Sequence, residues 1–202
     1  MFARLLSHPE VREHCELRGP FGFLAFHGGS LERVTDEIAA DAARAAGASY
    51  YGLVMPPSFR WHVPSNRVDP AHSAALTAFL DHVRVAVAVH GYGRAGMFTT
   101  LLCGGRNRPL AAHVATALRQ RLSPHYSVVD DLDAIPANLR GLHEANPVNR
   151  PPLAGVQLEL PPRVRGMGPF WTGWDRSVRT PHTTSAIDAL AEAATTWTEA
   201  GR

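Results

Sequence analysis

Short apolar runs recur along the chain and alternate with stretches of helical periodicity. Runs rich in β-branched and aromatic residues predict six strands, at residues 21–26, 50–55, 83–89, 98–103, 126–129 and 155–160. Apolar residues at helical spacing predict helices at 31–46, 71–82, 109–122 and 184–200. Strands that alternate with helices favour an α/β fold with a largely parallel sheet flanked by helices.

The rest of the pattern adds an edge strand and three loops. Residues 11–17 predict an antiparallel edge strand, with Gly19 and Pro20 as the turn that follows it. Three segments, 56–70, 138–152 and 161–181, are rich in proline and read as long loops. Such loops are uncommon unless they are functional. With 202 residues and 45% hydrophobic content, residues 1–202 are expected to form a single domain.

Two of the predicted strands end in a histidine followed by glycine. One strand leads into His27 and the Gly28-Gly29 pair, and another leads into His90 and Gly91. In parallel α/β sheets, ligands collect at the carboxyl ends of the strands. If these two strands are neighbours, their histidines converge on one point.

Glu32 stands five residues after His27, in the first turn of the predicted helix, with Ser30 as a candidate N-cap. His27, Glu32 and His90 would supply two imidazoles and a carboxylate. Catalytic zinc sites use such a donor set and keep one position open. Two other interpretations of Glu32 and its turn stay open. The acid can complement the helix dipole, or the glycine turn can bind a phosphate at the helix N-terminus.

Glu159 is a candidate general base. In the strand 155–160, apolar residues alternate with Gln157 and Glu159, so these two side chains share one face. A carboxylate beside a metal site can accept the proton of an attacking water molecule. The alternative is that both polar residues lie on the exposed face of an edge strand.

Three motifs in this order, HGGSLE at 27–32, HGY at 90–92 and GVQLEL at 155–160, resemble the poly-γ-glutamate hydrolase family. This is a family of zinc-dependent peptidases associated with phages and related to the zinc carboxypeptidases. The resemblance spans about residues 11–165 and leaves the C-terminal loop and helix, 166–202, uncovered. It implies a carboxypeptidase-like α/β fold around a mixed sheet, zinc held by His27, Glu32 and His90, and Glu159 as the general base.

The resemblance also implies a γ-glutamyl amide as the bond that is cleaved, in a small or polymeric substrate. A glutamyl polymer carries a carboxylate at every residue, and arginine binds carboxylates through two parallel hydrogen bonds. Two neighbouring pairs are candidates for substrate binding: Arg106 with Asn107, and Asn149 with Arg150. For each arginine, a surface ion pair is the alternative role. Two other functions stay open, a zinc deacylase of N-acyl amino acids and a non-catalytic metal-binding or anion-binding module.

Composition narrows the partners and the compartment. Charged residues make up 19% of the chain, the formal net charge is +2, and no basic block is present, so nucleic acid is not an expected partner. The N-terminus lacks the apolar segment of a signal peptide. No apolar run reaches the ~20 residues needed to span a bilayer. We therefore expect a cytoplasmic protein that does not act at a membrane.

Overall fold

A seven-stranded mixed sheet forms the centre of the computed structural model, which describes residues 1–175 and 177–198. The strands are β1 (Arg12–Glu16), β2 (Gly19–Gly29), β3 (Ala48–Met55), β4 (Val85–Gly91), β5 (Thr100–Cys103), β6 (Ser127–Val129) and β7 (Gly155–Leu160). Their order across the sheet is β1-β3-β2-β4-β7-β5-β6. The central strands β3, β2, β4 and β7 are parallel, whereas β1 and the β5–β6 pair run in the opposite direction. The predicted α/β fold with a mixed, largely parallel sheet is confirmed.

Helices cover both faces of this sheet. They are α1 (Phe2–Leu6), α2 (Thr35–Ala46), α3 (Ala74–His82), α4 (Arg108–Arg121) and α5 (Pro181–Thr196). Helices α2, α4 and α5 share one hydrophobic core with the sheet, and α1 and α3 share the core on the other face. Within the described ranges, no helix combines the length and the apolar character needed to cross a membrane.

Strand alternation sorts side chains between the two cores. Phe23 of β2 and Val87 of β4 lie in the core with α2, α4 and α5, whereas Leu24 and Ala88 lie in the core with α1 and α3. Successive strand residues point to opposite faces. His90, two residues after Ala88, therefore points to the α1 and α3 side of the sheet.

The structure corrects several predicted boundaries. The segment 11–17 contains an antiparallel edge strand, as predicted. This strand, β1, pairs with β3. Gly19 and Pro20 do not form the predicted turn, because both belong to β2. Helix α3 begins later than predicted, at Ala74, because the side chain of Ser73 caps it. Helix α1 was not predicted from the sequence. The last two residues of the predicted helix 184–200 lie outside the described residues.

Candidate metal centre

His27 and His90 meet at the carboxyl end of the parallel strands. They lie near the ends of β2 and β4, which are neighbours in the sheet. Their ring centroids are 5.2 Å apart, and the two residues are only 1% and 3% exposed. The two strands are therefore adjacent, which was the condition for the predicted convergence of their histidines.

A β-bulge aims the side chain of His27. Simple alternation after Phe23 and Ala25 would point His27 toward α2, away from His90. Between Ala25 and Gly28, however, β2 carries one more residue than the facing part of β3, and such a bulge re-aims a side chain. The imidazole of His27 consequently reaches the loop on the opposite face, where its Nε2 donates to the carbonyl of Val63 at 2.8 Å.

The carboxylate of Glu32 lies between the two imidazoles. Its Oε1 is 2.8 Å from Nδ1 of His27, and its Oε2 is 3.4 Å from Nδ1 of His90. The backbone N–H of Gly91 donates to Oε2 at 2.9 Å. Burial by itself raises the pKa of Glu32, but the positive charges of His27 and His90 outweigh it and hold this pKa well below its usual range. The carboxylate is therefore ionised.

The turn between β2 and α2 holds Glu32 outside the helix. The N–H of Glu32 donates to the carbonyl of His27 at 2.8 Å, which closes the turn between the two residues. The predicted position of Glu32 in the first helical turn is wrong, because α2 begins at Thr35. Ser30 is not the N-cap either, since its hydroxyl donates to the carbonyl of Phe59 at 2.6 Å.

Gly29 brings this turn into close contact with β3. Its φ is +71°, and a Cβ there would lie 2.2 Å from the carbonyl oxygen of Met55. Gly47 is a matched control, because its φ is +63° but a Cβ would meet open space. We expect Gly47→Ala to lower the free energy of unfolding by about 1–2 kcal/mol. Gly29→Ala should lower the free energy of unfolding by clearly more, because the added Cβ also meets the backbone of β3. Urea unfolding of the two metal-free variants measures both losses. Equal losses would show that the contact with β3 is not tight.

Glu159 lies beside His90 on the same face of the sheet. The two residues are partners in the parallel register of β4 and β7. The side-chain amide of Gln157 donates to Oε1 of Glu159 at 2.8 Å, and Nδ2 of Asn146 donates to Oε1 of Gln157 at 2.8 Å. Burial raises the pKa of Glu159 above its ordinary value. Gln157 and Glu159 share a face, as predicted, but they are buried and do not lie on an edge strand, because β7 lies between β4 and β5.

A cavity of about 960 Å³ opens over His27, Glu32, His90 and Glu159. Two of the long loops contribute to its wall, 56–70 and 138–152, as their length suggested. The residues that these loops supply include His62, Ser65, Asn138, Arg140 and His143. Residues of the third loop, 161–181, line a separate cavity of about 860 Å³.

The predicted substrate-binding residues do not reach this cavity. Of the described residues that line it, none is Arg106, Asn107, Asn149 or Arg150. Asn107 caps α4 by accepting a hydrogen bond from the N–H of Leu110. Asn149 accepts from the N–H of Arg106 and donates to the carbonyl of Gly141, so its amide holds two loops together. Arg106 and Arg150 are exposed to solvent.

His62 and Arg140 line the cavity but were not predicted as site residues. Ligand atoms of His62, His27 and Glu32 all lie within 4.8 Å of one another. Burial lowers the pKa of His62, and the nearby charge of His27 adds to the shift, so the neutral imidazole is favoured. Neither His62 nor Arg140 belongs to a regular spacing, and the only signal for either was its place in a long loop.

Arg165 is a buried positive charge behind the centre. Its guanidinium donates to the backbone carbonyls of Leu160, Arg33 and Tyr92. A Cβ on Gly91 would lie 2.6 Å from the guanidinium carbon, so only glycine lets the backbone of β4 pass this close. Burial lowers the pKa of Arg165 to about 10, while the charges of Glu32 and Glu159 act in the other direction. The guanidinium therefore stays charged and offsets part of the negative charge of the centre.

The residues around Glu32 offer donors for a zinc ion. Of the described residues, the three whose ligand atoms all lie within 4.8 Å of one another are His27, Glu32 and His62, whereas His90 brings its Nδ1 to 3.4 Å from Oε2 of Glu32. The Val63 carbonyl can only accept a hydrogen bond, so Nε2 of His27 carries a proton and Nδ1 is the nitrogen that faces the carboxylate of Glu32. At 2.8 Å, Nδ1 can donate a proton to this carboxylate, and after losing that proton it can share a metal ion with it. Burial lowers the pKa of His90, yet the carboxylate of Glu32 outweighs it and raises this pKa, so the centre favours positive charge. Two imidazoles, a carboxylate and an adjoining cavity are what catalytic zinc requires.

Family comparison agrees with this geometry. A family model described as poly-gamma-glutamate hydrolase matches residues 4–193. The chain belongs to this family. The match extends beyond the motif resemblance at both ends and includes most of α5. No curated protein matches the sequence of this family member.

Solved structures share the fold of this poly-γ-glutamate hydrolase family member. A bacteriophage poly-gamma-glutamate hydrolase superposes with a TM-score of 0.75 at 22% identity, over 91% of this chain and 87% of the other. A structure described as zinc-free YNDL gives a TM-score of 0.75 at 18% identity, over 93% and 90%. The gene product Atu2144 from Agrobacterium tumefaciens gives 0.51 at 10% identity, over 95% and 97%. At these identities the likeness shows the fold alone.

Proposed function

We propose that the protein is a zinc-dependent hydrolase that cleaves γ-glutamyl amide bonds in poly-γ-glutamate or a related acidic substrate. Membership of a family of hydrolases supports the reaction class. The observation that carries the proposal is the convergence of two buried Nδ1 atoms, from His27 and His90, on the ionised carboxylate of Glu32. Zinc held by these donors would polarise the scissile carbonyl and strengthen water as a nucleophile at neutral pH.

Glu159 is the proposed general base. It would take the proton of the attacking water and then deliver it to the departing amine. The hydrogen bond from Gln157, itself held by Asn146, orients the carboxyl group on the side of the sheet that faces the cavity. A non-catalytic binding module would have no use for a buried carboxyl group beside the metal donors, which favours an enzyme.

Arg140 is the proposed contact for substrate carboxylates. Among the described residues that line the cavity, it is the one arginine. Its Nε donates to the carbonyl of Ile135 at 2.9 Å, which fixes the inner side of the guanidinium. A fixed guanidinium plane suits paired hydrogen bonds to a carboxylate.

Arg140→Ala should raise KM for an acidic substrate and leave the zinc content unchanged. A hydrogen bond to a charged group contributes about 1.5–3 kcal/mol, so the expected rise is roughly 10- to 100-fold. Arg106→Ala and Arg150→Ala are matched controls, because both arginines are exposed and lie outside the cavity lining. If steady-state kinetics shows the rise in these two variants and not in Arg140→Ala, the sequence-based assignment is right and Arg140 has no role in binding.

The proposed activity is tested with two polymers of the same residue. Zinc-loaded protein should shorten poly-γ-glutamate, followed by size-exclusion chromatography, and should leave α-linked polyglutamate intact. Removing zinc with a chelator should stop the reaction, and adding zinc back should restore it. An unchanged γ-linked polymer, or equal cleavage of both polymers, contradicts the proposed specificity. Release of an acyl group from N-acyl amino acids without polymer cleavage would instead support the deacylase alternative.

A further inference from the structure

One short loop segment, residues 61–65, is attached to both histidines of the metal centre. The carbonyl of Val63 accepts the hydrogen bond from Nε2 of His27 at 2.8 Å. The hydroxyl of Ser65 lies 3.4 Å from Nε2 of His90. Val63 is fully buried in the core that contains α1 and α3. Contacts with the core on one side and with the two histidines on the other therefore hold this segment next to the metal donors.

His62 directs its ring from this segment into the cavity. Its ring centroid is 4.6 Å from that of His27, and ligand atoms of these two residues and Glu32 all lie within 4.8 Å of one another. Cα neighbours along a chain stay 3.8 Å apart. Because Val63 is bonded to His27, the adjacent His62 cannot move far without breaking that contact or changing its own rotamer.

We propose that His62 is a fourth, displaceable ligand of the metal, which it contacts while the cavity holds no substrate. The inference rests on the proposed zinc centre. Four protein ligands describe a closed site, whereas a catalytic zinc site keeps one position open. One of the histidines must therefore leave that position before substrate can use it. His27 and His90 are buried in strands, but His62 is exposed and lies in a loop, so a change of its rotamer frees the position.

The consequence is competition at the metal between the protein and the substrate. Substrate that enters the cavity displaces His62, so filling of the cavity shifts the metal centre toward its open form. A small ligand can bind the metal only in the molecules whose His62 is off the metal. Its apparent affinity for the resting centre is therefore its intrinsic affinity multiplied by the fraction of such molecules. Removing the imidazole should abolish this reduction.

Cobalt(II) in place of zinc gives a readout that does not depend on activity. The visible absorption of cobalt(II) changes in intensity and position with the number and type of its ligands. We expect His62→Ala to bind one cobalt per chain but to give an altered visible spectrum. Azide, a small anion that binds an open metal position, should bind the variant about 10-fold or more tightly than the wild-type protein. His72→Ala is the matched control, because His72 is an exposed histidine further along the chain that does not line the cavity.

The outcomes separate the two proposals. A wild-type protein that binds one cobalt, with identical spectra and azide affinity in wild type and His62→Ala, overturns the role of His62 and leaves the metal centre intact. A wild-type protein that binds no cobalt overturns the metal centre and this inference together. The same spectral change in His72→Ala would show that the effect is not specific to His62, and would also overturn the inference.

Discussion

Glu159→Gln is expected to lower kcat on poly-γ-glutamate by about 10²–10⁴-fold, the contribution of general acid–base catalysis. The substitution keeps the volume of the side chain, and its amide oxygen still accepts the hydrogen bond that Gln157 now donates to Glu159. The lost function is the transfer of a proton from water and to the leaving amine. Folding and zinc content should be unchanged, and KM should change little if arginine and metal contacts hold the substrate.

Glu144→Gln is the matched control for this experiment. Glu144 is an exposed glutamate of the loop 138–152, so removing its charge should leave kcat unchanged. A Glu159→Gln protein with normal zinc content and near-normal turnover would mean that Glu159 only completes the hydrogen-bond chain with Gln157 and Asn146. The reaction would then need a different base.

His27→Ala and His90→Ala are each expected to reduce the zinc content from about one per chain to a small fraction of that value, and to abolish activity. Each variant removes one of the two buried nitrogen donors and leaves Glu32 with one buried imidazole and the displaceable His62. Metal that binds only the folded state stabilises it. A chelator should therefore lower the Tm of the wild-type protein and have little effect on the Tm of either variant.

Elemental analysis and thermal unfolding, with and without chelator, check this prediction. His125→Ala is the control, because His125 is exposed and does not line the cavity; this variant should keep its zinc and its response to chelator. Full zinc content in both His27→Ala and His90→Ala would show that the ligand assignment is wrong.

Strand periodicity accounts for the parts of the site that the sequence could predict. Apolar alternation in 155–160 indicated that Gln157 and Glu159 share a face, and their hydrogen bond agrees with it. The apolar run before His90 indicated a buried strand that ends in this residue. Both inferences are local, because a strand's period fixes the directions of its own side chains. The pairing of β2 with β4, which joins His27 to His90, is a property of the whole sheet.

The remaining features depend on contacts between distant parts of the chain. The bulge that re-aims His27 arises from the register between β2 and β3, which no local pattern encodes. Helix α2 begins only at Thr35 because the preceding turn is held against other segments, through contacts such as that of Ser30 with Phe59. His62 and the other loop residues of the cavity owe their positions to such long-range contacts.

The asparagines chosen for substrate binding show a second limit of sequence analysis. Asn107 and Asn149 stand where a strand meets a helix and where a loop turns. Asparagine side chains at such positions commonly bond to the backbone, as both do here. An asparagine side chain can also bind a substrate, so the residue type alone does not tell backbone bonding from substrate binding. The hydrogen-bond partners in the folded protein distinguish the two roles.

The position of the zinc ion can be read from an anomalous difference map of crystals of the zinc-loaded protein, collected at the zinc absorption edge. We expect one strong peak per chain between Nδ1 of His27, Nδ1 of His90 and the carboxylate of Glu32, at about 2.0–2.2 Å from each donor. A map with no peak among these three side chains, or with its only peak elsewhere on the molecule, would contradict the claim that they form the zinc centre of this hydrolase.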